Sequence, residues 1–346
     1  MSRIAVVTSS PPMAEGGHMV IARELTRALR EAGHDADIVI TPQNRFGRQA
    51  SAYAATWLTD LGTTEGQRID QVISLRYPSY AVRHPQHVCW LNHTMREYYD
   101  LWDRFSRSLS PEGRIKERVR RALIHAADRY LLTHNVKRLF VQSRTIQQRL
   151  AMWPSLRSTV LYPPAPSRAY RCDGYGDDVL LVSRLTALKR ADLLVRALAT
   201  AAGAGLRAVV AGDGEQRAVL QRLASEIGVA NRVRFTGSLS EDQLVAELGR
   251  CRAVCFPTYQ EDYGFVTVEA FASRKAVVTC TDSGAPAELV KDELNGFVTS
   301  ATPEALASAL RRLADDRGLA ERLGSAAYDT GAALTWPETV RQLVVQ

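Results

Sequence analysis

Residues 178–216 read DVLLVSRLTALKRADLLVRALATAAGAGLRAVVAGDGEQ, and the fold follows from how this stretch is parsed. DVLLVSRL is a short apolar run bounded by polar residues, as a parallel strand buried on both faces requires. RADLLVRALATAAGAG carries a helical apolar stripe ended by glycine. RAVVAGDG is a second strand with a glycine-rich end. The alternation continues downstream with EQRAVLQRLASEIGV (helix), RVRFTGSLS (strand), DQLVAELGRC (helix), AVCFPTY (strand) and KAVVTCTDSG (strand). PEALASALRRLADD and the tail through TWPETVRQLVV read as helical. Strands alternating with helices specify a parallel sheet covered on both faces.

The same pattern stands upstream. RIAVVTS is a strand and PPMAEGG a turn. HMVIARELTRALREAG has apolar residues at 20, 21, 25, 28 and 29 and is stopped by Gly33, and HDADIVI is the next strand. QVISLR and HVCWLNH follow, then the helix RIKERVRRALIHAADRYLL, the strand RLFVQS and the helix TIQQRLAMW. LYPPAPSRAYRCDGYGDD has no period and is rich in Pro, Gly and Tyr, so it reads as a linker. The expected organisation is α/β, with two Rossmann-like domains facing each other: 1–168, joined by a C-terminal helix over 335–346, and 172–334. In such sheets ligands bind beyond the carboxyl ends of strands.

The totals agree with two cores. The chain has 346 residues, 46% hydrophobic and 23% charged, more than one core usually serves. No stretch reaches the ~20 apolar residues of a membrane span, and the opening IAVV is too short for a secretory leader. The five cysteines are scattered, and Cys251 and Cys255 have no second Cys/His pair to complete a zinc site. Reduced thiols in a cytoplasmic protein, with no metal, are expected. The charge is uneven: residues 1–170 hold 24 Lys and Arg against 14 Asp and Glu, and the remainder 20 against 23, giving +10 and −3. A basic half favours an anionic partner.

Several constellations lie just after strands. In YQEDYGFVTVEAF, 259–271, Glu261 precedes a helix starting near Tyr263 or Gly264, and Glu269 lies inside it. Between them the first-turn N–H groups, near Gly264, Phe265, Val266 and Thr267, form an anion site with the helix dipole. One reading is a ligand with hydroxyls at both ends and phosphate in the middle, the layout of a nucleotide sugar. The other is that Glu261 complements the dipole and Glu269 is solvated. Arg184 and Lys189 either neutralise a diphosphate or are surface cations. Gly-x-Gly at Gly212–Gly214 lacks the third glycine of a dinucleotide fingerprint, as do Gly16 and Gly17. His93 ends a strand among aromatics and is either structural or a cleft residue. Basic residues 114, 116, 118, 120 and 121 beside apolar 115, 119, 122, 123 and 126 make either a surface helix or an element for an anionic membrane surface, on the inner face. No nucleic-acid motif accompanies the charge.

These residues carry a likeness to a known family. SRL…K (183–189), AGDGEQ, VRFTG (233–237), EDYGFVTVEAFASRKAVV (261–278), SGAPAELV (283–290) and NGFV (295–298) resemble the family 4 retaining glycosyltransferases of GT-B fold. EGGH, EAGHDADIV and WLNH extend the likeness more loosely through the first half. The resemblance implies two Rossmann-like domains facing each other across a cleft. It implies that Arg184 and Lys189 hold the donor diphosphate and that the amides near Gly264–Thr267 add to them. Glu269 would bind the ribose, Glu261 the donor sugar, and Gly212 would lie near the base. Gly16 and Gly17 would lie against the phosphates or acceptor, and His93 would line the sugar pocket; Tyr263 belongs to the same donor segment. The implied reaction moves a sugar from a nucleotide-sugar donor, UDP ahead of GDP, to a glycan, lipid-linked or small-molecule acceptor. The product is α-linked and no cofactor is needed. The chain is somewhat short for the family, Ser183 replaces the usual glycine, and Asp262 stands where proline is frequent. The competing functions are a non-catalytic carbohydrate- or membrane-binding module of the same fold, and a two-Rossmann epimerase or phosphorylase.

Overall fold

The computed structural model describes residues 1–11, 13, 16–43, 46–64 and 66–345. Pro12, Ala14 and Glu15 of the PPMAEGG turn lie outside the described residues. The chain divides into two units, 1–163 with 335–346, and 164–334.

The first unit runs β1 (Arg3–Ser10), α1 (Gly17–Glu31), β2 (Asp35–Pro42), α2 (Gln49–Trp57), the short pair β3 (Thr63–Thr64) and β4 (Gln67–Arg68), β5 (Gln71–Arg76), β6 (His87–His93), α3 (Trp102–Arg107), α4 (Pro111–His134), β7 (Arg138–Val141), α5 (Arg144–Leu150) and β8 (Thr159–Val160). Its main sheet is parallel in the order β2-β1-β5-β6-β7-β8. α1 ends as its sequence demands: Gly33 adopts φ 86°, its N–H bonds Arg30 O and the His34 N–H bonds Leu29 O. That pattern closes two otherwise orphaned carbonyls.

The second unit runs β9 (Asp178–Val182), α6 (Ala191–Ala199), β10 (Arg207–Ala211), α7 (Arg217–Glu226), β11 (Val233–Gly237), α8 (Glu241–Arg250), β12 (Ala253–Cys255), α9 (Phe265–Ala272), β13 (Val277–Cys280), α10 (Ala285–Leu289), β14 (Gly296–Thr299), α11 (Pro303–Asp315) and α12 (Arg317–Ala332). α13 (Trp336–Leu343) returns to the first unit. There Trp336 meets Trp90 edge to face, and Gln71 exchanges side-chain bonds with Leu343 O and the Val345 N–H.

The second sheet is parallel in the order β11-β10-β9-β12-β13-β14. Numbered from β9, this is 3-2-1-4-5-6, the doubly wound order whose direction reverses between the first and fourth strands. The reversal falls between β9 and β12, so the turns after these two strands meet there. The core between sheet and helices includes Leu181, Val210, Ala253, Val278, Leu194 and Leu310.

Three helices differ from expectation. α6 ends at Ala199, not at a glycine, because Thr200 leaves the helix and its hydroxyl caps Ala197 O. α5 ends at Leu150, and residues 151–153 turn. In α4 the apolar stripe at 115, 119, 122, 123 and 126 is exposed, while the inner face is Glu117, Ile124, Asp128, Leu131 and Leu132. A polar cluster anchors that inner face. Asp128 Oδ1 accepts from the Tyr53 and Tyr80 hydroxyls, the latter at 2.5 Å, and Oδ2 from Tyr99 at 2.5 Å. Burial pushes the Asp128 carboxyl up to about 6, with the three tyrosines pulling the other way.

Candidate donor site of the second unit

The site is assembled from three turns at the switch between β9 and β12. After β9, residues 183–190 fold over the glycine-rich turn after β10. Leu185 donates to Asp213 O and Gln216 to Leu185 O. Gly212, at φ 123°, leaves no room for a side chain: a Cβ there would stand 1.8 Å from Ser183 O. The Gly-x-Gly pair therefore has a packing role, holding the Arg184–Lys189 turn in place.

After β12, the 256–261 segment is clamped from both sides. Tyr259 donates to Leu188 O, Gln260 to Asp282 O and Glu261 to Ser283 O, and Ala285 returns a bond to Glu261 O. Arg190, at the end of the turn after β9, fastens it to the turns after β12 and β13. Its Nε reaches Pro257 O at 2.6 Å, Nη2 reaches Thr258 O at 2.6 Å, and the fork is bidentate to Asp282 at 2.8 and 2.6 Å. Such planar recognition is what Arg supplies and Lys cannot.

α9 then starts at Gly264, φ 79°. A Cβ there would stand 2.5 Å from Phe256 Cε1, so this N-cap is glycine for both dihedral and space. The Thr267 N–H is not open, since it bonds Gly264 O at 3.0 Å; the expected four-amide set narrows accordingly. Phe265 and Val266 occupy the first positions, where N–H groups have no carbonyl one turn back.

The two carboxylates are each held by a cation. Lys189 Nζ donates to Glu261 Oε2 at 2.7 Å, with the ammonium 5.6 Å above the Phe256 ring. Glu269, inside α9, is buried, and its Oε1 accepts from Arg168 Nη1 and from the Tyr170 hydroxyl at 3.3 Å. Oε2 has no bond among the described residues. Burial raises the Glu269 carboxyl above its usual range, with Arg168 opposing. Burial also works against the Arg168 charge, but Glu269 carries that guanidinium above its ordinary value. The reading of Glu269 as a solvated residue is thereby excluded.

Arg184 is exposed and forms no ion pair among the described residues. In the first unit, Gly16 is the N-cap of α1 and Gly17 its first residue. His93 closes β6, and its carbonyl accepts from the Tyr77 N–H at 3.2 Å. Sequence reasoning missed Arg168, Tyr170 and Arg190. The first two lie in the aperiodic 161–178 stretch. Arg190 stands beside Lys189 with nothing in the spacing to mark its left-handed backbone, φ 48°.

Two parallel doubly wound units, with paired cations and carboxylates at a switch point, define the GT-B class of fold. Solved structures agree. Sucrose-phosphate synthase from Thermosynechococcus elongatus superposes with a TM-score of 0.77 at 19% identity, covering 98% of this chain and 97% of that one. HepE of Anabaena, solved with UDP and glucose, gives 0.71 at 17% identity, covering 98% of each chain. Residues 172–330, a little under half of the chain, match the family described as glycosyl transferases group 1. A D-inositol 3-phosphate glycosyltransferase of Streptomyces griseus is 32% identical over 169 residues, 45% of this chain and 36% of that protein. The matched part spans about a third to a half of the first curated relatives' length.

Proposed function

We propose that the protein is a retaining glycosyltransferase that moves a sugar from a nucleotide-sugar donor, UDP ahead of GDP, to an acceptor and leaves an α linkage. The observation that carries this reading is the Lys189–Glu261 pair beside the start of α9. Arg184, Lys189 and the first-turn amides are suited to neutralise the departing diphosphate. Glu261 accepts from sugar hydroxyls, and Oε2 of Glu269 accepts from the ribose. The acceptor oxygen bonds to the anomeric carbon on the face the diphosphate leaves. The carbon–phosphate oxygen bond breaks, and the acceptor proton passes to a phosphate oxygen. Positioning and charge stabilisation then supply most of the rate. Gly16, Gly17, Gly212, Tyr263 and His93 are proposed donor contacts on the family likeness. UDP is favoured because HepE was solved with it.

Incubating the protein with labelled UDP- and GDP-sugars tests the reading. Transfer or hydrolysis of the label supports it; a folded protein that binds and turns over no donor refutes it.

We also propose that α4 docks on an anionic membrane surface, on its inner face. The support is Arg114, Lys116 and Arg118, exposed beside exposed Ile115 and Val119. Among the described residues no helix is long and apolar enough to cross a membrane. Sedimentation with anionic vesicles at low and high salt tests it, and absence of binding at low salt rejects it.

A further inference from the structure

We infer that the groove between α2 and α4 takes the hydrocarbon chain of an anionic membrane lipid. This rests on the docking of α4 proposed above and adds a built site to it. α4 has two apolar faces. One is the inner face already described. The other meets water: Ile115, Val119, Leu123 and Tyr130 are between 53% and 65% exposed. Their spacing of four, four and seven keeps them on one side of a helix.

A cavity of about 580 Å³ adjoins this outer face. Its walls are Ala50, Tyr53, Ala54 and Trp57 of α2, with Leu123 and Tyr130 among those of α4. The volume falls within the roughly 300–1,000 Å³ of pockets that take small ligands. The wall is preformed, since the Tyr53 hydroxyl is tied to buried Asp128 and its ring stands edge to face on Tyr77 at 5.2 Å.

Charge selects the occupant. Arg120, paired with Glu117, lines the groove, while Arg114, Lys116 and Arg118 pair with no carboxylate among the described residues. A second copy would bring like charges together, and a neutral apolar peptide would leave these cations unanswered. An anionic lipid answers both features, with its chain in the groove and its headgroup among the cations. One chain alone binds marginally, so chain and charge act together.

Trp57 reports occupancy. The full chain is mixed at low salt with phosphatidylglycerol vesicles brominated along the acyl chain, and tryptophan emission is read for wild type and Trp57→Phe. The chain has five tryptophans, so the difference isolates the groove. The expected results are quenching that Trp57→Phe removes, and vesicle affinity lowered about tenfold or more in Ala54→Phe, as loss of two or more methylenes predicts, with its salt dependence kept. Sedimentation without Trp57 quenching overturns the inference and leaves docking standing. Failure to sediment at low salt overturns docking and the inference together. Equal quenching by brominated phosphatidylcholine removes the anionic requirement. Lipid-free self-association abolished by Ala54→Phe assigns the groove to a second copy instead. Trp57→Tyr, which keeps an aromatic ring in the wall, repeats the comparison where Trp57→Phe fails to fold.

Discussion

The carboxylates at the switch point of the second unit and Asp128 in the core of the first are satisfied in different ways. In the second, the carboxylates are neutralised by cations: Glu261 by Lys189, Glu269 by Arg168, Asp282 by Arg190. In the first, where Glu117 and Asp100 are paired with arginines, buried Asp128 has no cation among the described residues and is satisfied by three tyrosine hydroxyls. An ion pair beside an open helix start can exchange partners with a charged ligand. A carboxyl ringed by neutral donors inside a core cannot, and serves stability. The ion pairs are suited to exchange with a ligand, and the ring of tyrosines to stability.

Substitutions can break that contrast. Lys189→Ala is expected to lower turnover by about 10²–10³-fold, the cost of losing one stabilising donor at developing charge, with circular dichroism unchanged. A rate near wild type would remove Lys189 from the diphosphate. Asp128→Asn should act on stability instead, costing about 1–3 kcal/mol by leaving buried hydroxyls unsatisfied, while donor affinity stays as in wild type.

The pH dependence of that loss has a definite sign. The folded carboxyl sits at about 6, above the ordinary carboxylate value, so between about pH 4 and pH 6 the folded state holds the extra proton. The stability that Asp128 contributes is thus fullest at low pH and declines as pH rises through 6. Denaturant midpoints of wild type and variant, compared from pH 4 to 7, should converge upward; divergence would contradict the assignment.

Smaller effects test the partners of the site. Arg168→Gln removes the charge opposing burial at Glu269, so donor KM should rise about fivefold to tenfold, roughly the worth of one hydrogen bond to a charged group. The rise should begin at a higher pH than in wild type, while kcat changes little. Parallel loss in kcat without any pH shift would make Arg168 merely structural. Glu261→Gln should weaken sugar placement without moving the pH optimum. Loss of an acidic limb from the rate profile would instead make Glu261 a general base.

Much of this arrangement is legible in the residues. Period and glycine placement mark β9, α9 and the Gly33 stop, and the eight-residue spacing of Glu261 and Glu269 marks the site. The polar ends of strands indicate which turns to examine. What escapes is partner choice. Nothing in the spacing announces that Lys189 bonds Glu261. Arg168 sits in a stretch with no period, 101 residues from Glu269, and no local signal reaches that far. The exposed face of α4 escapes for another reason: an apolar stripe is ordinarily the inner one, and here the inner face is built around Asp128.

The central claim is that the second unit holds a nucleoside diphosphate at the β9–β12 switch point. Calorimetric titration of UDP into the full chain, beside Lys189→Ala, tests it most directly. The account predicts a saturable one-to-one heat for wild type and at least a tenfold weaker one for the variant. Equal affinity in the two proteins, or no binding of UDP or GDP by folded wild type, would contradict it.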